Sequence, residues 1–178
     1  GRSTPHASDL RTDLSVNTTD HLLADMEHLR QYLDIDQWLL FGGSWGSTLG
    51  LAYAERNPQR VTEIVFVGVT TTRRSEIDWL YRGVAPLFPA QWALFRAGVP
   101  PAERDGDVVA AYYRLLQDPD PAMHMQAAQD WCEWESALVS VDPEAKPDPR
   151  RLQPAFQLAF ARIVTHYFHH NAWLEEGM

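Results

Sequence analysis

Three things are scarce in this sequence of 178 residues, and each scarcity excludes a class of protein. A single cysteine, Cys132, rules out an intrachain disulfide and is typical of a reducing compartment, which we expect to be the cytoplasm. With 15 basic against 24 acidic residues, the formal charge of −9 argues against a nucleic-acid partner, because phosphate binding needs a basic face. The longest strongly apolar run, residues 64–69, is far too short to span a bilayer, so we expect no membrane partner.

What the sequence does contain is a G-x-S-x-G motif, formed by Gly42, Gly43, Ser44, Trp45 and Gly46. An apolar, strand-like segment precedes it at residues 38–41, and a helix-like segment follows at residues 47–57. A serine at the tip of such a strand-to-helix turn is exposed and needs small neighbours. Ser44 is therefore the candidate nucleophile, and the N–H of Trp45 is a candidate oxyanion donor. The alternative is a Gly/Ser-rich turn without chemistry.

Residues 42–49 (Gly-Gly-Ser-Trp-Gly-Ser-Thr-Leu) and 51–54 (Leu-Ala-Tyr-Ala) resemble the nucleophile motif of the proline iminopeptidases, also called prolyl aminopeptidases. Segments similar to further parts of that family are residues 1–6, Trp131 with Trp134 and Glu135, residues 160–162 and residues 166–168. The resemblance follows the family's order along essentially the whole chain. It implies an α/β-hydrolase fold, no cofactor, and release of N-terminal proline from peptides through an acyl-enzyme on Ser44.

The same resemblance implies that the chain is an internal fragment. Family members are considerably longer, with an oxyanion loop before the segment at residues 1–6 and with the catalytic Asp and His beyond the region that ends here. We therefore expect Ser44 to be present without its catalytic partners, and the isolated chain to be inactive.

Hydrophobic periodicity predicts the first part of the fold. A helix is expected from Thr18 or Thr19 to residue 33, and its apolar face would carry Leu22, Leu23, Met26, Leu29 and Leu33. Asp25, Glu27, His28 and Arg30 are expected toward the other side. The strand at 38–41, the elbow, its helix and a second strand at 64–69 then form a parallel strand–helix–strand unit.

After residue 70 the pattern becomes helical, and no further strand is predicted. Helices are expected near residues 76–85, 90–97, 104–117, 122–139 and 154–174. We predict an α/β fold class, with residues 1–70 as part of the α/β-hydrolase core, residues 71–174 as an all-helical cap domain, and residues 175–178 as the return to the core. Caps of this kind close over a serine site and exclude water.

Four histidines that follow Ser44 were considered as its base: His124, His166, His169 and His170. All four fall in predicted helices rather than in loops after strands, where the base of a serine hydrolase lies in this fold. None of them is therefore expected to be the base, and His169 and His170, near a helix C-terminus, are expected to be solvated and to complement the helix dipole. The histidines and acidic residues also show no tight metal-ligand spacing, so no metal site is predicted.

Glu135 is the candidate substrate-binding residue. At 100° per residue it lies on the same stripe of the helix at 122–139 as Trp131 and Trp134, whereas Glu133 points away. A carboxylate on an aromatic face needs a cation or donors. It would receive the α-ammonium of a substrate, as the resemblance also implies, or form a core ion pair with an arginine such as Arg162.

One departure from the family concerns the last helix. The family often has a second glutamate where this chain has Val164, which weakens the case for binding a charged N-terminus. Two other hypotheses therefore stay open. One is an esterase or thioesterase with an apolar acyl pocket, and the other is a truncated, non-catalytic binding module.

Overall fold

The computed structural model describes residues 5–140 and 148–175 of the chain. The regular elements in chain order are α1 (Thr19–Tyr32), β1 (Trp38–Gly43), α2 (Trp45–Arg56), β2 (Val61–Val67), α3 (Arg74–Asp78), α4 (Pro89–Ala97), α5 (Val108–Leu115), α6 (Pro121–Val139) and α7 (Pro154–His169). Short 3₁₀ turns lie at Pro58–Arg60, Ala85–Leu87, Pro101–Glu103, Pro149–Leu152 and Asn171–Trp173, and a π-helical turn lies at Trp79–Gly83. Residues 1–4, 141–147 and 176–178 lie outside the described residues. They include part of the family-like segment at residues 1–6 and most of the predicted return to the core at residues 175–178.

The chain divides into two compact units, which we call the sheet unit and the helical unit. The sheet unit comprises residues 15–78 and 170–175, and the helical unit comprises residues 5–14, 79–140 and 148–169. The predicted domain boundary at residue 70 falls inside the sheet unit. The domain limits of the intact protein stay a prediction.

Hydrogen bonds explain why the units divide the chain in this way. The N–H of Thr70 donates to Ser47 Oγ over 3.0 Å, which keeps the segment after β2 on α2. The guanidinium of Arg162 donates to the carbonyl oxygens of Ala7 and Asp9, which attaches the first described residues to α7.

The sheet unit is built on the predicted parallel strand pair. β1 and β2 pair in parallel, with Leu40 opposite Ile64 and Gly42 opposite Phe66, and α2 connects the two strands. Both predicted strands are present, at Trp38–Gly43 and Val61–Val67 rather than at 38–41 and 64–69. The core beneath this sheet contains Leu23, Leu40, Ala52 and Tyr53, with α1 and α2 supplying all but the strand residue.

The other face of the sheet is open. Because paired residues of parallel strands point to the same side, Leu39, Phe41, Val65 and Val67 share this face. All four are exposed, and Phe41 and Val67 retain 76% and 64% of their accessible surface. Parallel sheets are usually covered on both faces, and their strands are therefore apolar on both sides. The exposed side chains of this face have that apolar character, which is unusual for a surface in contact with solvent.

The polarity predicted for α1 is partly wrong. Arg30, expected toward the polar side, is buried, whereas Leu29 and Leu33 of the expected apolar stripe are half exposed. Arg30 Nε donates to Glu27 Oε1 over 3.0 Å, and the Tyr53 hydroxyl donates to the same carboxylate. These hydrogen bonds, which join α1 to Tyr53 of α2, explain why Arg30 is buried.

Aromatic rings form the core of the helical unit. The Phe95 ring stacks on Tyr112 and Trp134 at centroid distances of 4.5 and 5.3 Å, and Tyr81 stacks on Trp131 at 4.6 Å. These rings come from the π-helical turn, α4, α5 and α6, and all five are buried. Two of the seven tryptophans, Trp131 and Trp134, therefore help to pack the short helices together.

The last helix ends earlier than predicted, at His169 instead of residue 174. Asn171, Ala172 and Trp173 have φ values of +49°, +54° and +51°, which a right-handed helix cannot accommodate. The carbonyl of Ala172 accepts a 2.5 Å hydrogen bond from the Thr19 hydroxyl at the start of α1. That long-range bond fixes a left-handed turn that local periodicity could not reveal.

The network of α1 predicts an acid-sensitive stability. The Arg30 hydrogen bond, followed by that of Tyr53, lowers the pKa of Glu27 from 4.5 to about 2. A depressed folded-state pKa stabilises the fold above about pH 4.5, and the contribution is lost as the pH falls towards 2. The free energy of unfolding should therefore fall less in Glu27→Gln than in the wild type over this pH window, with a difference of roughly 1 to 3 kcal/mol. Urea unfolding of both proteins at pH 5 and pH 2.5 measures the difference, and equal falls would contradict the role of Glu27.

Candidate active site

Ser44 lies in a strained backbone conformation between β1 and α2. Its φ is +51° and its ψ is −123°, a combination that residues with a side chain rarely adopt. Such conformations cost on the order of 1–3 kcal/mol and persist only where the surrounding structure fixes them. The strand-to-helix turn at Ser44 is therefore a distinct backbone feature, and its role as a nucleophile elbow stays a prediction.

Both peptide groups of Ser44 are held by hydrogen bonds. Its N–H donates to the carbonyl oxygen of Val67, the last residue of β2, over 3.0 Å. Its carbonyl oxygen accepts from the N–H and from the hydroxyl of Ser47, over 2.8 and 2.6 Å. The second strand and the first turn of α2 thus fix the position of the serine together.

The elbow glycines are not equivalent. A Cβ at Gly42 would lie 2.6 Å from the carbonyl oxygen of Gly46, closer than real Cβ atoms approach. At Gly43 the nearest atom, the Val67 carbonyl oxygen, would be 3.4 Å away, and at Gly46 nothing lies within 4 Å. Close packing between the end of β1 and the start of α2 therefore requires glycine at position 42 above all.

The Ser44 side chain is exposed, and its hydroxyl has no hydrogen-bond partner among residues 5–140 and 148–175. The serine immediately precedes Trp45, the first residue of α2. The N–H groups in the first turn of a helix point away from the helix along its axis, and they carry the partial positive charge of the helix dipole. A carbonyl carbon bonded to Ser44 Oγ would place its oxygen beside this end, as the sequence predicts for an oxyanion site.

The four candidate histidines have structural surroundings. His124 Nδ1 lies 2.9 Å from the carbonyl oxygen of Asp118, and the His169 ring stacks on Tyr113 at 4.4 Å. His166 is buried beside Tyr113, and His170 stacks on Trp173 at 4.7 Å. His169 and His170 are half-buried and packed on aromatic rings, so they are less solvated than the sequence predicted.

Glu135 lies on α6 in the helical unit and is only partly exposed. One of its carboxylate oxygens accepts a hydrogen bond from the hydroxyl of Tyr81, whose ring stacks on Trp131. Burial raises the pKa of Glu135, while the Tyr81 hydrogen bond and the charge of Arg151 oppose that rise. Glu133, predicted to point away, is exposed and bonds only to Gln129 among the described side chains.

The alternative ion pair between Glu135 and Arg162 is not formed among the described residues. Arg162 is buried and donates to backbone carbonyl oxygens near the start of the chain, including that of Asp9 at 2.8 Å. Burial lowers the pKa of its guanidinium, which the neighbouring Asp9 charge partly offsets. Glu135 thus lacks a directly bonded cation in the described structure.

The structure brings Ser44, Trp45 and the three glycines together in the sheet unit, and it places Glu135 in the helical unit. Sequence reasoning missed Tyr81 as the partner of Glu135, because 54 residues separate them and no local pattern links them. Cys132 is buried, as expected for a small apolar residue, and burial raises the pKa of its thiol to about 12.

Residues 5–140 and 148–175 contain neither a membrane-spanning helix nor a metal-binding cluster. No helix there has both the length and the hydropathy that crossing a membrane requires. In the same residues, no group of three or more His, Cys, Asp or Glu side chains is arranged to hold a metal ion.

The unequal glycines can be tested by a matched pair of alanine variants. Gly42→Ala should destabilise the protein by about 1–3 kcal/mol, because the new methyl group overlaps the Gly46 carbonyl. Gly46→Ala should be neutral or stabilising by up to about 1 kcal/mol, because alanine favours the helix and meets no atom. Urea unfolding measures the stability of both variants. Equal destabilisation of the two would contradict the open space around position 46.

Comparison with known proteins extends these observations. Residues 1–148 match the model of the α/β hydrolase fold family. The chain is 48% identical over 177 residues to a probable proline iminopeptidase of Streptomyces coelicolor, covering 99% of this chain and 54% of that protein. It is 44% identical to a proline iminopeptidase of Xylella fastidiosa (98% and 54% covered) and 43% identical to one of Arabidopsis thaliana (94% and 43% covered).

The chain therefore spans about half the length of the curated relatives it matches. The resemblance to proline iminopeptidases that the sequence motifs predicted is confirmed along nearly the whole chain. Together with the parallel strand–elbow–helix–strand unit around Ser44, the family match confirms the predicted fold class. The chain belongs to the α/β hydrolase fold family.

Proposed function

We propose that the intact protein is a serine aminopeptidase that releases N-terminal proline from peptides. The observation that carries the proposal is the strained, exposed Ser44 at the start of α2, in a chain similar to proline iminopeptidases. An exposed hydroxyl at the positive end of a helix is the arrangement that acyl transfer by serine needs. The cytoplasmic location is also proposed, and it rests on the single cysteine.

In the proposed reaction, Ser44 Oγ attacks the carbonyl carbon of the N-terminal prolyl residue. The N–H of Trp45 supplies half of the oxyanion hole. A histidine base takes the serine proton and passes it to the leaving amine as the peptide bond breaks. Water then attacks the prolyl ester, and free proline leaves. We place the histidine and its aspartate partner in the part of the relatives' length that this chain does not cover.

Glu135 is proposed to bind the α-ammonium of the substrate. Its carboxylate already accepts one hydrogen bond from Tyr81, and a carboxylate has further lone pairs for a cation. An amine bound there would also supply a directly bonded cation, which Glu135 lacks among the described residues.

A second candidate function is an esterase or thioesterase that uses the same serine. Burial raises the pKa of Glu135, and a protonated carboxyl would not attract an ammonium group. Val164 stands where relatives of this kind are expected to carry a second glutamate. An apolar acyl group would then be bound in place of a charged amine.

The two functions differ in their need for a free amine. We would measure hydrolysis of a prolyl arylamide, its N-acetylated form and a simple aryl ester by the full-length protein, with Ser44→Ala as the blank. The aminopeptidase proposal expects turnover of the free-amine substrate alone among the two amides. Equal turnover of both amides, or turnover of the ester only, would favour the esterase.

Replacing Glu135 tests the amine site directly. Glu135→Gln should lower kcat/KM for the prolyl arylamide on the order of ten- to a hundredfold, the value of one charge-assisted hydrogen bond. Hydrolysis of a simple aryl ester should change less than twofold. Glu133→Gln, on the exposed side of α6, is the matched control. An equal loss on the amide and the ester would contradict an ammonium site at Glu135.

The raised pKa of Glu135 also predicts a pH dependence. Since only the ionised carboxylate attracts the amine, the ratio of kcat/KM for the prolyl arylamide to that for the ester should fall as the pH drops through this pKa. Taking the ratio cancels the titration of the catalytic histidine, which both substrates share. A ratio that does not change with pH would place the amine elsewhere.

A further inference from the structure

The segment after β2 forms a polar turn that contacts the elbow. Residues 70–72 are three threonines, and Thr72 is buried with a φ of +56°. The Thr48 hydroxyl on α2 lies 2.8 Å from both the Thr70 carbonyl oxygen and the Thr72 hydroxyl. A β-branched residue at positive φ is a conformational outlier that the surroundings must hold in place.

One carboxylate holds this turn. Oε2 of Glu76, at the start of α3, accepts from the Thr70 hydroxyl at 2.7 Å and from the N–H groups of Thr71 and Thr72 at 2.9 and 2.8 Å. Its Oε1 accepts from the Thr71 hydroxyl at 3.0 Å. Burial acts to raise the pKa of Glu76, but these hydrogen bonds outweigh it and the pKa is lowered. The carboxylate that organises the turn is thus ionised near neutral pH.

The hydroxyl group of Ser47 links this turn to the backbone of Ser44. The N–H of Thr70 donates to Ser47 Oγ over 3.0 Å, and the Ser47 hydroxyl donates to the Ser44 carbonyl oxygen over 2.6 Å. A path of three hydrogen-bonded steps therefore leads from Glu76 through Thr70 and Ser47 to Ser44. All of its members belong to the sheet unit.

We propose that Glu76 is a positioning residue for the nucleophile: by fixing the threonine turn, it holds the Ser47 hydroxyl that keeps Ser44 in its strained conformation. The inference rests on the proposed function, in which Ser44 is the nucleophile. Glu76 itself does not touch the substrate. A glutamine at this position carries no charge and has one acceptor oxygen instead of two, so it holds the four donors of the turn more weakly.

The test uses the full-length protein and a small fluorophosphonate probe, which forms a covalent bond with the oxygen of a reactive serine and needs no amine site. Glu76→Gln should lower the second-order labelling rate of Ser44 at least tenfold per mole of folded protein. In prolyl arylamide hydrolysis it should lower kcat by a similar factor and leave KM within twofold. Glu63→Gln, an exposed carboxylate on β2, is the control that should behave as the wild type.

A second variant keeps the inference testable if Glu76→Gln folds poorly. Ser47→Ala breaks the path without altering the turn's carboxylate, and it should lower the labelling rate to a similar extent. Because the two residues act in one path, the double variant should be no slower than the slower single variant. Additive losses, or a labelling rate in Ser47→Ala equal to that of the wild type, would overturn the path.

The remaining outcomes separate this inference from the proposed function. If the wild type is labelled at Ser44 and Glu76→Gln is labelled equally fast, Glu76 is only structural and the proposed function stands. If the wild type is labelled but does not hydrolyse prolyl arylamides, the substrate proposal fails and the positioning test remains decisive. If the wild type is not labelled at Ser44, both proposals fall.

Discussion

The hydrogen bond from the Ser44 N–H to the Val67 carbonyl is the constraint on which the elbow depends. It links the end of the first strand to the end of the second, so the parallel pair must be in register before the serine can adopt its conformation. Sheet pairing and helix formation then supply two of the hydrogen bonds that maintain the strained conformation of Ser44. Glycine at position 42 follows from the same constraint, because the helix begins against the strand that precedes it.

The threonine turn extends this logic beyond the motif. A G-x-S-x-G pattern places a serine at a turn, but precise placement of its Oγ also depends on what surrounds the turn. Here buried hydroxyl groups near the start of α2 contact a polar segment that a carboxylate holds. In this network, neutral N–H and O–H groups donate to one charged carboxylate. Buried polar groups make a site more rigid when their hydrogen bonds are satisfied in this way.

The elbow, both strands and the change to helices after residue 70 could be predicted from the sequence, because periodicity and the motif are local signals. The errors arose where distant residues decide the outcome. The burial of Arg30 depends on Glu27 and Tyr53, and the end of α7 depends on the bond between Thr19 and Ala172. The same reason explains why Glu135 could be singled out from its helical face, whereas its partner Tyr81 could not.

The open face of the strand pair has a practical consequence for handling this polypeptide. Leu39, Phe41, Val65 and Val67 form an apolar surface on a sheet of only two strands in the described residues. Exposed apolar surfaces of this kind bind environment-sensitive dyes and other apolar surfaces. During expression and concentration of this polypeptide, attraction between such faces would oppose the repulsion that a net charge of −9 produces.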